Sequence, residues 1–200
     1  MTLEKGVSWG VSGTVPHRSA RADSDSDVAR AASSEAVIVT GGDLHRGVGE
    51  PRAKNAGDEC TLLPIDAMEI VVTSPSGETS VGHAVAHVCV GRFGSRRGFA
   101  GLVNAGFVDG LNLAPRGHPG DGRVELVIFD ESVPGRQRRL ARKRARTGSH
   151  VPHPSIRLSA VDEWTRERVK GEALYIDGCK VESWSKIAVT VRPGHVVIAV

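Results

Sequence analysis

Thr40-Gly41-Gly42-Asp43 follows the apolar run Ala36-Val37-Ile38-Val39 and leads into Leu44-His45-Arg46. A strand that ends in a Gly-Gly turn and opens a helix presents free backbone N–H groups, which can bind an anion such as a phosphate. Asp121 and Glu125 flank Gly122 at the start of the strand-like run Val124–Phe129. Two carboxylates beside a carbonyl-rich turn suit a hard cation that keeps some of its waters; the plainer alternative is a polar turn followed by an exposed strand residue. His118, His150 and His153 each sit beside a proline. They could converge on a transition metal, or on a phosphate when protonated, or each could stiffen its own loop through one backbone hydrogen bond. Asp177 lies in an Asp-Gly turn, and Cys179 is followed by Lys180, a neighbour that favours the thiolate slightly, the plainer and preferred reading being an ordinary half-buried thiol.

The densest charge lies in Arg136–Arg146, where Arg136, Arg138, Arg139, Arg142, Lys143, Arg144 and Arg146 leave Leu140, Ala141 and Ala145 for a core. Like charges four apart on a helix repel. The run is therefore expected to serve an anionic surface, with Arg138, Arg139, Arg142, Lys143 and Arg146 as contacts, unless Asp130 and Glu131 neutralise a merely solvated face. No aromatic residue interleaves the run, which disfavours base stacking and makes nucleic acid the less expected partner.

These residues need a scaffold, and the composition points to strands. The chain has 200 residues, 40% hydrophobic but only 4% aromatic, with 24 glycines and 10 prolines. Small aliphatic side chains must build the core, between many turns. Residues 1–35 show little periodicity and are expected to form a loosely held arm, with a short helix near Asp25–Ser33 capped by Ser24 or Ser26 and a docking role for Trp9. Strands are predicted at Ala36–Val39, Ala67–Thr73, Val81–Val90, Val124–Phe129, Ala173–Ile176, Ile187–Val191 and Val196–Val200, the last two separated by a turn at Pro193-Gly194. Leu111–Ala114 reads as brief and extended, and Gly101–Val108 as a strand or a short helix. The one clear helix is Arg136–Arg146, stopped by Gly148. The expected fold is mainly β, an antiparallel sandwich or barrel over residues 36–200. Three widely spaced cysteines suggest neither a disulfide framework nor a zinc site. With a net charge of +3, no signal-like leader and no long apolar span, the chain is expected to be cytoplasmic, or peripheral at a membrane.

The order of motifs in residues 36–200 resembles the C-terminal part of diacylglycerol kinases and related bacterial lipid kinases. Leu113-Ala114-Pro115 with Asp121-Gly122-Arg123-Val124-Glu125 is similar to their "aP…DGxLD" segment, and Gly148-Ser149-His150 through His153-Pro154 to their "GxH…HP" stretch. Leu174-Tyr175-Ile176-Asp177-Gly178 resembles the "vDGE" strand-turn, Val189–Val200 the closing strand, and Thr40–Arg46 the "GTGNDLAR" turn beside the nucleotide. The resemblance implies a β-sandwich, ATP and Mg2+ as cofactors, phosphorylation of a lipid hydroxyl, and an anionic lipid or membrane surface as partner. It places Gly41, Gly42 and Asp43 at the nucleotide, Asp121 and Glu125 at magnesium, and Asp177 at the acceptor as the catalytic residue. Two departures stand out. The "GGDGT" phosphate loop would precede Val37 and has no counterpart, and Cys179 stands where the family has the Glu taken as base. Loss of both impairs positioning and proton transfer. The chain then needs a partner chain or a homodimer to complete the site, or it is a non-catalytic relative that keeps the fold as a lipid- or partner-binding module.

Overall fold

The computed structural model describes residues 9–200. From the N-terminus come β1 (Val11–Thr14), β2 (Ala20–Ala22), α1 (Asp25–Arg30), β3 (Val37–Val39) and α2 (Gly42–Gly47). The middle is all strand: β4 (Glu59–Thr73), β5 (Thr79–Ala84), β6 (His87–Gly91), β7 (Phe99–Val103), β8 (Phe107–Val108), β9 (Leu111–Asn112) and β10 (Val124–Phe129). After α3 (Gly135–Arg144) follow β11 (Ile156–Val161), β12 (Glu163–Glu167), β13 (Leu174–Ile176), β14 (Cys179–Val181) and β15 (Lys186–Ala199).

Thirteen of the strands form two facing sheets, as the β-sandwich expectation required, and β8 and β9 pair apart from them as a two-stranded hairpin. One has seven strands around the path β1-β4-β15-β3-β2, with β5 on β4 and β12 on β15; the other runs β11-β10-β7-β6-β13-β14. Between them Met68, Ile70, Ile187 and Val189 meet Val88, Val90, Leu102 and Leu174 around the buried Trp184. Strand alternation produces this interface: in β15, Ile187, Val189 and Val191 are buried while their neighbours are less so. Pairing is antiparallel except at one corner, where β3 lies parallel to both β15 and β2.

That corner is where the sequence expectation gives way. Residues 9–35 are held in place: β1 pairs with β4, β2 pairs with β3, and Val28 of α1 is fully buried. Residues 1–8 of the expected arm lie outside the described residues. The connection β2–α1–β3 is a small βαβ unit with α2 following, so an α/β element does precede Gly41. Ser24 caps α1 and Trp9 Nε1 donates to Pro64 O at 3.1 Å, both as anticipated. The α1–α2 layer rests on Leu63, Ile65 and Ile198 through Val28 and Leu44.

Three other boundaries differ for local reasons. The run 81–90 is two strands in different sheets, with the crossing at Val85-Ala86. Pro193-Gly194 makes a bulge rather than a turn, because the register between β15 and β4 shifts between Arg192 and Val196 and the strand continues. Pro64 does not end β4: Thr61 and Val200 exchange backbone hydrogen bonds, so position 64 faces the side where β1 has already stopped at Leu62. Gly148, at φ +69°, ends the turn after α3, as expected.

Leu44 carries the packing that fixes α2, and it is fully buried. Leu44→Ala is expected to cost about 2–5 kcal/mol of unfolding free energy, measured by urea denaturation with the midpoint falling at unchanged slope.

Candidate functional site

Gly41, Gly42 and Asp43 do form the expected turn into a helix, but its N–H groups are taken from within the chain. Asp25 Oδ2 accepts from Asp43 N at 2.8 Å and Asp25 Oδ1 from Leu44 N at 2.9 Å. The glycines follow from this close approach. Gly42 has φ +92°, and a Cβ there would lie 2.3 Å from Asp25 Oδ1; one on Gly41 would lie 2.3 Å from Asp23 O. Asp43 turns its own Oδ1 towards Gly110 N (2.9 Å) and the Arg46 guanidinium (3.1 Å). Its Oδ2 is 3.7 Å from His87 Nδ1, which has no hydrogen-bond partner. Burial pushes the Asp25 carboxyl above its usual range, and the N–H groups of Asp43 and Leu44 offset part of that.

Asp177 lies below the same corner. It sits at φ +45° followed by Gly178 at φ +79°, so the Asp-Gly pair makes the tight reversal between β13 and β14. Its carboxylate accepts three backbone N–H groups, Val85 at 2.9 Å, Ala86 at 3.0 Å and His87 at 2.9 Å. These are the residues where the chain leaves one sheet for the other. Burial raises its pKa, while His87 and the N–H bonds lower it. Cys179 is exposed on β14. A cavity of about 30 Å³ lies nearby, lined by His87, Cys89, Arg92, Asp109, Tyr175 and Gly178 among others. It has room for a water, whereas ligand pockets of drug size run to about 300–1,000 Å³. Burial pushes the Cys89 thiol well above its usual value.

Asp121 and Glu125 are close enough that the Asp121 charge, second to burial, raises the Glu125 carboxyl. The residue that orders this region is Asp66, which is 1% exposed. It accepts from Gly122 N at 2.6 Å and Gly194 N at 2.8 Å, tying the turn before β10 to the bulge in β15. The three histidines form no shared site: two bond within their own loops and His150 reaches the segment after β9. His118 Nδ1 accepts from Gly120 N and His153 Nδ1 from Ser155 N, while His150 Nε2 lies 3.2 Å from Leu113 O. Burial lowers the pKa of His150. Glu125 and His153 also border an open groove of about 1,010 Å³ with Val151, Ile156 and Leu158.

The basic helix divides into two classes of cation. Arg138 is 4% exposed and reaches the carbonyl oxygens of Val133, Ser95, Asp130 and Glu131, with Phe129 beneath its guanidinium. It therefore serves the fold and cannot face a partner. Arg142 is exposed but donates to Phe93 O at 3.1 Å. Arg136, Arg139, Lys143, Arg144 and Arg146 are exposed around Leu140, itself 45% exposed. Among the described residues no carboxylate pairs with them, Asp130 and Glu131 included.

No family model matches the sequence, and no curated protein matches it. The solved structures do. One described as "a putative diacylglycerol kinase from Bacillus anthracis str. Sterne" superposes with a TM-score of 0.50 at 10% identity, over 82% of this chain and 68% of that one. The chain has a diacylglycerol-kinase-like fold. A second crystal structure with the same description gives a TM-score of 0.49, also at 10% identity, over 82% of this chain and 69% of the other. The fold matches the expected one, and among the described residues no helix is long and apolar enough to cross a membrane.

Two measurements probe these carboxylates. In Asp177→Asn an amide NH2 would face at least one of the three N–H donors, so a loss of about 1–3 kcal/mol is expected in chemical denaturation. For Asp66, burial raises the folded pKa above 3.8, with the nearby Asp121 adding to the shift. A raised carboxyl stabilises the fold fully below its unfolded value and loses that contribution as pH climbs through the folded value. Wild type should therefore lose stability relative to Asp66→Asn as the pH is raised from 3 to 7; a constant difference would contradict the shift.

Proposed function

We propose that this chain is a non-catalytic module of the lipid-kinase-like fold that docks on anionic lipid through the outer face of α3. The observation that carries the first half is Asp25: its carboxylate fills the turn where a nucleotide phosphate would need donors. A phosphate arriving there meets a negative charge in place of free N–H groups, which reverses the electrostatics that make a helix start bind anions. Ahead of Val37, where the resemblance expects a glycine-rich phosphate loop, the turn into α1 reads Asp23-Ser24-Asp25-Ser26-Asp27. Asp177 spends its oxygens on three N–H groups, and Cys179 is no substitute for a carboxylate base.

Lipid as the partner is supported by the outward face of α3. Arg136, Arg139 and Lys143 lie near an exposed leucine, and among the described residues no carboxylate pairs with them, which suits cations at the headgroups and an apolar tip among the acyl chains. The loop held against the helix by Arg138 and Arg142, which donate to Ser95 O and Phe93 O, adds exposed Arg92, Arg96 and Arg97. Of these, Arg97 donates to Gly171 O and Arg92 lies over Tyr175.

Juxtamembrane cations contribute about 1 kcal/mol each. Combined Arg136→Gln, Arg139→Gln and Lys143→Gln should thus weaken binding to phosphatidylglycerol-containing vesicles on the order of 100-fold, read by vesicle sedimentation. Wild type should bind phosphatidylcholine vesicles far less. Equal binding to both vesicle types, or tighter and steeply salt-dependent binding to duplex DNA, would overturn the lipid half. Calorimetry with millimolar ATP and Mg2+ should show no binding; binding accompanied by phosphate transfer to lipid would restore the kinase reading.

A further inference from the structure

The Asp25–Asp43–His87 corner holds more than a blocked phosphate site. All three side chains are buried, at 6%, 7% and 3% exposure, and one donor atom from each lies within 4.8 Å of the others. Among the described residues no other group of three or more potential ligands meets that distance. His87 Nδ1 is buried, unpartnered and 3.7 Å from Asp43 Oδ2. A buried imidazole nitrogen without a partner is costly, and most are satisfied by a proton acceptor, a water or a metal.

We infer that Asp25, Asp43 and His87 form a binding site for a divalent transition-metal ion of the Zn2+ or Mn2+ class. The lone pairs left over fit this. Asp43 Oδ1 is taken by Gly110 N and Arg46, which leaves Oδ2 free on the His87 side. Each Asp25 oxygen accepts a single N–H, and a carboxylate oxygen has room for a second partner. One imidazole with two carboxylates is a borderline donor set, softer than the all-oxygen shells of Mg2+ or Ca2+. Ligands about 2.1 Å from a tetrahedral ion stand about 3.4 Å apart. The Asp43–His87 pair, at 3.7 Å, is already near that separation, and an Asp25 oxygen lies within 4.8 Å of both.

Charge favours the same answer. The Asp177 carboxylate also feels the charge of Asp25 and of His87. Three carboxylates thus share the corner, and among the described residues Arg46, half on the surface, is the one lysine or arginine paired to them. The ion would join three segments that are distant in sequence: the start of α1, the start of α2 and the first residue of β6. Asp177 accepts the backbone N–H of His87 and so fixes the main chain that carries the imidazole.

The test uses the whole chain stripped with chelator, then titrated with Zn2+ in a calorimeter and loaded with Co2+ for X-ray absorption. One Zn2+ per chain is expected, at least 100-fold tighter than in His87→Ala or Asp43→Asn, with Mg2+ failing to compete at millimolar concentration. If either variant does not fold, the Co2+ shell of wild type decides alone. One imidazole with oxygen ligands supports the site; a sulfur ligand, two or more imidazoles, or no binding overturns it. Neither outcome bears on vesicle binding, which uses a different face.

Discussion

Three backbone N–H groups converging on the Asp177 carboxylate hold this fold at its turning point. A chain that passes from one sheet to another must break its ladder, and the groups freed there cannot be left in a dry core. Val85, Ala86 and His87 are those groups, and a carboxylate from a distant hairpin satisfies all of them. Asn104, just past the end of β7, completes the same repair, its side-chain nitrogen donating to Val85 O and Asp66 O. The sandwich can therefore have β5 in one sheet and β6 in the other without an unpaired gap between them.

The same device recurs. Asp25 closes the first turn of α2, and Asp66 closes the turn before β10 together with the bulge in β15. In each case a buried aspartate substitutes for missing backbone partners, in the way a capping residue does at a helix end. This choice has a functional side. A carboxylate and a phosphate compete for the same N–H geometry, so a fold that closes its turns with aspartates gives up those turns as phosphate sites. The negative charge collected in the process is what a metal ion could use.

Much of this architecture was legible in the sequence. Apolar alternation located the long strands, Gly148 the end of the basic helix, and Ser24 the start of α1. What could not be read were features set by partners far along the chain. Nothing near Pro64 announces that β1 stops two residues earlier, and nothing near Pro193 shows that Asp66 will hold the strand in line. Asp25 and His87 escaped notice because they lie 18 and 44 positions from Asp43 in the sequence, and only the βαβ corner brings them to it. The one available signal for Asp25 was the run Asp23-Ser24-Asp25-Ser26-Asp27 ahead of a short apolar strand, which marks a helix cap but not a ligand. Arg138 was misplaced for a related reason: among seven cations, composition does not reveal which one four carbonyl oxygens will claim.

The central pairing of β4 with β15 also sets how the molecule comes into being. Thr73 meets Lys186, and Leu62 meets Ala199, so every rung of the longest ladder joins residues more than a hundred positions apart. Closing so large a loop is entropically costly before any contact repays it, which places this topology among slow folders. Until β15 arrives, β4 has only its hairpin partner β5 and the short β1, and one long apolar edge stays open to other chains. Yield during refolding should therefore depend on protein concentration far more than the finished structure's stability does.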